Sequence, residues 1–496
     1  MSRAPLLLAL DQGTTSTRAV LFDATGAPLA TAQRELPQSY PQDGWVEHDP
    51  ARIAADATAV LRAVLERAGK HAGEIAALGI TNQRETVVVW ERDSGRAIHP
   101  AIVWQDRRTA DVCEKLRADG HEESVAAATG LLLDPYFSAT KIAWILDAVP
   151  GARARAERGE LAVGTVDCWL TWQLTRGALH ATDASNASRT SLFDLRAQAW
   201  SAELCALFRV PFALLPEVRD TAADYGRTAS EVLGEPIALR ALVGDQQAAA
   251  FGQGCLEPGA MKATYGTGGF TMQNTGGVLL RSRHRLLSTQ AWRLEGVSTF
   301  ALEGSIFHAG TVVQWLRDEL GLLKEAADAE ALARAADPRK RVYLVPAFTG
   351  LGAPWWRPDA RGAIYGLTRD TAAADLVRAG LESACFQTRD LLDAARADGA
   401  ELPAELRVDG GMVSNDWLLQ SLADLCGIPV VRPAHTESTA RGAALLAGIG
   451  AGVADAFATA REFRVARRCE PSIGEDERAE RHAGWLRAVS RTLAEL

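Results

Sequence analysis

Three short stretches carry residues able to grip a phosphate. In "DQGTTSTR" (11–18), Asp11 ends an apolar run, Gly13 opens a turn, and Thr14, Thr15, Ser16 and Thr17 fill it. A glycine turn can aim successive backbone N–H groups at one anion. The hydroxyls add donors, Arg18 adds a fixed charge, and Asp11 is of the right type to hold Mg2+, directly or through water. The same residues also make an ordinary hairpin turn, and they lack the Gly-Lys-Ser/Thr of a P-loop. A second turn, "YGTGGF" (265–270), is richer in glycine and adds Thr267. A third, "DGGMVSND" (409–416), follows the strand-like "LRV". It suits either close approach of a nucleotide to a helix N-terminus or a plain strand–helix turn.

Two stretches carry groups for the other half of such a reaction. Asp245 in "LVGDQQAAAFGQG" (242–254) stands between an apolar strand and an Ala-rich helix. On its own it reads as an ordinary N-cap of that helix. Arg84 and Glu85 in "GITNQRETVVVW" (79–90) lie between two strands. They read either as a solvated turn or as donor and acceptor for a polyhydroxylated ligand.

The elements that must position these residues alternate along the chain. "LLLALD", "RAVLFD" and "PLATAQRELP" predict three strands. Residues 50–68 have helical apolar spacing, with Asp49 as N-cap and Pro50 first. "IAALGIT" and "TVVVWER" predict further strands, so the order βββαβ implies a mixed sheet under helices. "MKATYGTGGFTMQNTGG" (261–277) repeats the hairpin half a chain later. Hairpins are common, but the succession after each is alike, which points to a duplicated domain and a cleft between the copies. The expected domains are 1–254 and 255–496, in keeping with a 496-residue chain that exceeds one core. Residues 152–160 and 324–340 read as solvated surface segments, and 443–454 as a buried helix.

A net charge of −9 argues against nucleic-acid binding. Seven dispersed cysteines without a CxxC pair read as reduced thiols of a cytoplasmic protein. No apolar run reaches membrane-spanning length.

Taken together, "DQGTTSTRAV", "PQDGWVEHDP", "GITNQRET", "IVWQDRRT", "DPYFSATK", "TDASNASRT", "GDQQAA", "TYGTGGF", "VPAFTGLGAPWW" and "RVDGG" resemble the glycerol-phosphorylating branch of the FGGY carbohydrate kinases, in order along essentially the whole chain. The resemblance implies an α/β fold of two actin/hexokinase/Hsp70-like ATPase domains, duplicated ribonuclease H-like units with a central cleft. It implies transfer of phosphate from Mg-ATP to glycerol, giving sn-glycerol 3-phosphate as the first step of glycerol catabolism, in a homodimer or homotetramer. Asp245 would be the base, and Asp11 and Asp245 the metal-linked carboxylates. Arg84, Glu85, Tyr136, Asp245 and Gln246 would bind glycerol hydroxyls, with Trp104 and Phe270 against its carbons. Thr14, Thr15, Ser16, Arg18, Thr267, Gly310, Gln314, Gly411 and Asn415 would meet ATP. The family's two signatures fall at 136–148 and 362–382, where Ala148 and Gly380 depart from the usual residues in ways expected to affect packing only. The alternatives are a sibling kinase for another polyol or a pentulose, or a non-catalytic ATP-binding actin-like module; retention of Asp11 and Asp245 argues against the module.

Some members of the family are inhibited by fructose 1,6-bisphosphate at a Gly-Arg loop, and others are activated by phosphorylation of a His nearby. Residues 225–247 contain no His and no such loop; Gly234 is followed by Glu235 and Pro236. Insensitivity to both regulators is expected, with Arg227 and Arg240 the cations left in the region.

Overall fold

The computed structural model describes residues 5–434, 437–453 and 455–494. The opening hairpin forms as the sequence predicts. Strand β1 (Leu6–Gln12) pairs antiparallel with β2 (Ser16–Phe22), putting Asp11 opposite Arg18, and β2 pairs with β3 (Pro28–Glu35). Helix α1 (Pro50–Ala68) starts where its signals stand, with the Asp49 carboxylate accepting from Ala51 N at 2.9 Å. The chain returns as β4 (Ile75–Asn82), parallel to β1, and much later as β5 (Leu239–Gly244), parallel to β4. Helix α2 (Asp245–Gly252) follows directly.

The second half repeats this plan. Strand β6 (Met261–Tyr265) and β7 (Gly269–Gly276) form a hairpin, and β8 (Val297–Ile306) pairs antiparallel with β7. Helix α3 (Gly310–Asp318) leaves the sheet, and α4 (Ala373–Ala397) runs 25 residues across it. Strand β9 (Leu406–Asp409) lies parallel to β6, and after helix α5 (Asp416–Cys426), β10 (Val430–Pro433) lies parallel to β9. The first sheet thus runs β5-β4-β1-β2-β3, and within the second sheet runs the matching order β10-β9-β6-β7-β8. Three parallel strands end side by side in each half. Catalytic groups of open α/β sheets gather beyond such carboxyl ends.

Two expectations need correction. "TVVVWER" is a strand, Val87–Glu91, but it joins a separate four-stranded sheet, antiparallel to Leu161–Thr165. A tight turn over residues 84–86 redirects the chain, and its centre, Glu85, has φ 60°. Residues 152–160 are not an open connection. Ala152–Glu157 is helical, with Ala152 and Ala156 buried, because alanines four apart share one helix face.

The buried helix expected over 443–454 is helix α6 (Ser438–Gly450), buried along most of its length; it ends before the exposed Ala451 and Gly452, and position 454 lies outside the described residues. The helix comes from the second half, yet its Ala440, Ala443, Ala444 and Ala447 share one core cluster with Leu7, Ala9, Val243 and Ala248 of the first. Backbones touch at this joint. A Cβ on Gly442 would lie 1.9 Å from the Ala248 carbonyl oxygen, and one on Gly252 2.0 Å from that of Ser438. The joint also holds Arg441, whose guanidinium donates to Gly252 O and Thr459 O. Gly380 has a related use: a Cβ there would meet Leu316 of α3 at 2.8 Å.

Gly442→Ala should therefore force the two helices apart. We expect it to destabilise the protein by about 1–3 kcal/mol, as overpacking does. A lowered urea midpoint relative to wild type checks this; an unchanged midpoint would show that the joint yields freely.

Candidate active site

The carboxyl ends of β1, β4 and β5 deliver Asp11, the 82–86 turn and Asp245 to one place. Asp245 is the first residue of α2 and not its cap; its Oδ1 accepts from the neighbouring Gln246 N at 2.7 Å. Gly244 N donates to Ser185 Oγ at 2.9 Å, and Ser185 Oγ donates to the buried Asp183 at 2.9 Å. That chain of contacts anchors the strand end from which Asp245 projects.

Arg84 and Glu85 are not a solvated turn. Their side chains are 2% exposed each, and they belong to a buried ionic network. Glu85 Oε1 accepts from Arg189 Nε at 2.6 Å, and Arg189 Nη2 donates to Glu303 Oε1 at 2.9 Å. Glu303 grips Arg84 at both ends of its guanidinium, Nη1 to Oε2 at 2.5 Å and Nη2 to Oε1 at 3.0 Å. Arg84 Nε then lies 3.4 Å from Asp245 Oδ1. Charges alternate along the whole path. Burial pushes the Glu303 carboxyl up, but Arg189 and Arg84 outweigh it and keep it below the usual range. Burial pushes the Asp245 carboxyl up, opposed by Arg84 and Lys262.

Aromatic rings close the other side. Trp104 meets Tyr136 edge-on at 5.6 Å and Phe270, from β7 in the second half, at 5.9 Å. Its indole Nε1 donates to Thr14 Oγ1 at 2.9 Å, tying this wall to the first hairpin. The Tyr136 backbone is held from beneath by the buried Lys141, whose ammonium donates to the carbonyls of Pro135 and Tyr136 at 3.1 and 2.6 Å. Gln246 receives a hydrogen bond from the fully buried Lys262, another contact between the halves. With its Oε1 so engaged, Gln246 keeps its NH2 as a donor beside Asp245.

Gly310 N donates to Gly266 O at 2.9 Å and Thr311 N to Thr267 O at 3.2 Å, which docks the second glycine turn on the start of α3. Gly266 and Gly411 have open space where a side chain would stand. Asn415 caps α5 through Oδ1, accepting from Leu418 N at 2.9 Å, so its amide NH2 is the group left for a ligand. A short 3-10 turn, Gly411–Ser414, separates the third glycine turn from that helix. Gln314 is exposed on α3, and Thr15 is exposed at the tip of the first hairpin. Ser16 starts β2, opposite Glu35. Arg18 pairs with Glu437 at 2.5 Å.

The residues at this site fit a magnesium ion. Burial, with Asp245 and Glu437 adding to it, lifts the Asp11 carboxyl to about 7 despite Arg18. A carboxylate whose proton affinity is raised by a second carboxylate nearby invites a cation. No cluster of three or more His, Cys, Asp or Glu fit for a metal occurs among the described residues. Magnesium needs none, since it typically takes one or two carboxylates plus substrate phosphates.

Glu303, Arg189, Lys262 and Lys141 escaped the reading of the residues. The one available signal was a charge inside an otherwise uncharged run: "FALEGSIF", "NASRTSLF", "AMKATYG" and "YFSATKIAWIL". Such a charge, if buried, needs a partner.

Residues 6–252 match the N-terminal domain of the FGGY family of carbohydrate kinases, and 261–451 match its C-terminal domain; the chain belongs to this family. It is 58% identical to a glycerol kinase of Afipia carboxidovorans over 98% of this chain and 99% of that one. It is 56% identical to glycerol kinase 1 of Pseudomonas aeruginosa over 99% of both. A glycerol kinase of Plasmodium falciparum solved with ADP superposes with a TM-score of 0.92 at 32% identity, covering 99% of each chain. The two-domain architecture expected from the sequence is thereby borne out.

The proton on Asp11 sets a pH dependence. Its carboxyl titrates at about 7 when folded against an ordinary 3.8, so the folded state holds more protons across that window. Stability contributed by this group is therefore lost as pH rises from about 4 to about 7, and is level beyond. In the nucleotide-free protein, Asp11→Asn should make the fall of the urea midpoint over that range shallower. An identical slope in both proteins would contradict the burial assigned to Asp11.

Proposed function

We propose that the chain transfers the γ-phosphoryl group of ATP to a terminal hydroxyl of glycerol, as an ATP:glycerol 3-phosphotransferase. One observation carries the reading. Asp245 lies within 3.4 Å of Arg84, and Arg84 lies 3.4 Å from the Tyr136 hydroxyl, whose ring adjoins Trp104 and through it Phe270. A three-carbon polyol has one polar edge and one apolar edge, and charged groups and aromatic rings meet here to match both. The glycerol kinases among its relatives support the same substrate. A pentulose has weaker support, from a structure titled as a xylulose kinase of Brucella ovis at 25% identity and TM-score 0.85.

Asp245 orients the acceptor hydroxyl and takes its proton late, as the new bond forms. An alcohol is too weak an acid to be deprotonated first, and a loose transition state does not require it. Arg84, Glu85 and Gln246 fix the remaining hydroxyls. Thr14, Thr15, Ser16 and Arg18 take the phosphate end of the nucleotide, with Thr267 and the turn N–H groups opposite. Gly310, Gln314, Gly411 and Asn415 hold the rest. Asp11 and Asp245 would hold Mg2+, which when bound neutralises phosphate charge. Closure of the halves limits water attack on ATP.

We further propose a boundary between the halves near Gly254, a homo-oligomeric enzyme and a cytoplasmic setting. Seven buried, unpaired cysteines support a reducing compartment. No helix among the described residues is long and apolar enough to cross a membrane.

ADP release measured with glycerol and a panel of polyols tests the substrate. Asp245→Asn keeps shape and removes the proton acceptor. It should lower turnover by about 10²-fold or more while ATP binding persists. Near-normal turnover of the folded variant would remove Asp245 as the base. Regulation gives a separate test. Arg240 is tied to Asp224, and Arg227 donates to Pro236 O at 2.7 Å. Fructose 1,6-bisphosphate should cause no saturable inhibition once magnesium chelation is corrected for; saturable inhibition would refute the expectation.

A further inference from the structure

Glu303 is the one member of the ionic path that the second half of the chain supplies. It sits in β8, between β7 and the strand Leu287–Leu294, and is completely buried. Its two oxygens take both terminal nitrogens of Arg84, while Oε1 also accepts from Arg189. The other contacts of Arg84 are longer: Nη1 to Gln247 at 3.3 Å, Nη2 to the Tyr136 hydroxyl at 3.4 Å and Nε to Asp245 at 3.4 Å. An incoming hydroxyl would compete with these weak contacts first. The paired grip of Glu303 is charge-assisted and bidentate, and it fixes the guanidinium plane. Arg189 links Glu303 to Glu85, so both polyol-binding side chains take their orientation from the same carboxylate.

We infer that Glu303 is a positioning residue of the acceptor site. It aims Arg84 and, through Arg189, Glu85 at the polyol, so that selectivity for vicinal hydroxyls depends on how the two halves are joined. The inference rests on the glycerol reading given above. Glu303 touches no reacting atom in this scheme; its effect passes through Arg84 and Glu85.

The test compares glycerol with 1,3-propanediol, which lacks the central hydroxyl, in the intact enzyme. Wild type should prefer glycerol by about a hundredfold or more in kcat/KM, because losing that hydroxyl leaves buried polar groups unpaired. Glu303→Gln keeps the shape and removes the charge. It should raise KM for glycerol and shrink the preference by about tenfold or more, with KM for ATP unchanged. A merely structural residue would lower the melting temperature and both activities together, leaving the ratio as in wild type. That unchanged ratio would overturn the inference. If Glu303→Gln does not fold, Glu303→Asp keeps the charge and shortens the reach; a narrowed ratio supports the inference and a wild-type ratio overturns it. If wild type itself fails to phosphorylate glycerol, the substrate reading falls and takes the inference with it. A wild type that turns over glycerol, with variants of unchanged ratio, defeats the inference alone.

Discussion

The ion pair between Arg84 and Glu303 is the constraint around which the molecule is arranged. Two charges taken out of water cost several kcal/mol each, and only close, well-directed partners offset this. Here the offset is shared along Glu85, Arg189, Glu303, Arg84 and Asp245, each link joining opposite charges. The path starts in the first half, passes through Glu303 of the second and returns. Without the second half, Arg84 and Arg189 would each lose a buried carboxylate partner.

Bringing Arg84 and Glu85 to one network takes a special backbone. Neighbouring residues of a strand point to opposite faces, so a regular strand would send these two side chains into different layers. The left-handed φ of Glu85, with Thr86 N bonded to Arg84 O at 2.7 Å, turns the chain within three residues. Left-handed backbone in a non-glycine residue is costly and persists where the surroundings demand it. Arg189 on Glu85 Oε1 and the Ser138 hydroxyl on Glu85 O are those surroundings. The same turn sends Val87–Glu91 away from the first sheet, so the architecture of the flanking sheet and the geometry of the site share one cause.

The joint between the halves is made differently. Helix α6 meets α2 and β4 at close-packed glycines and alanines, with Arg441 donating to Gly252 O beside them, and a Cβ on Gly79 would stand 2.2 Å from the Ala443 carbonyl oxygen. Backbone contact of this kind leaves no side chains to rearrange. The ionic network and the helix joint thus hold the halves together by different means, a run of paired charges in one and close backbone approach in the other.

Much of this was determined by the sequence on its own. The hairpin around Gly13, the cap and Pro50 start of α1, the second hairpin around Thr267 and the buried α6 follow from local periodicity and turn chemistry, which act over a few residues. So does the presence of Asp11 and Asp245 at strand ends. The family resemblance added roles for Trp104 and Phe270 that local pattern would have assigned to packing. Tertiary structure alone decided the rest. Whether Arg84 and Glu85 faced water or protein depended on Arg189 and Glu303, which lie 105 and 219 residues beyond Arg84. Which sheet took Val87–Glu91 depended on one left-handed residue, and which half α6 covered depended on glycines that are unremarkable in their own neighbourhoods. Local sequence records the preferences of a segment. It does not record which distant segment supplies the opposite charge or the space, because that is fixed only when the chain closes on itself.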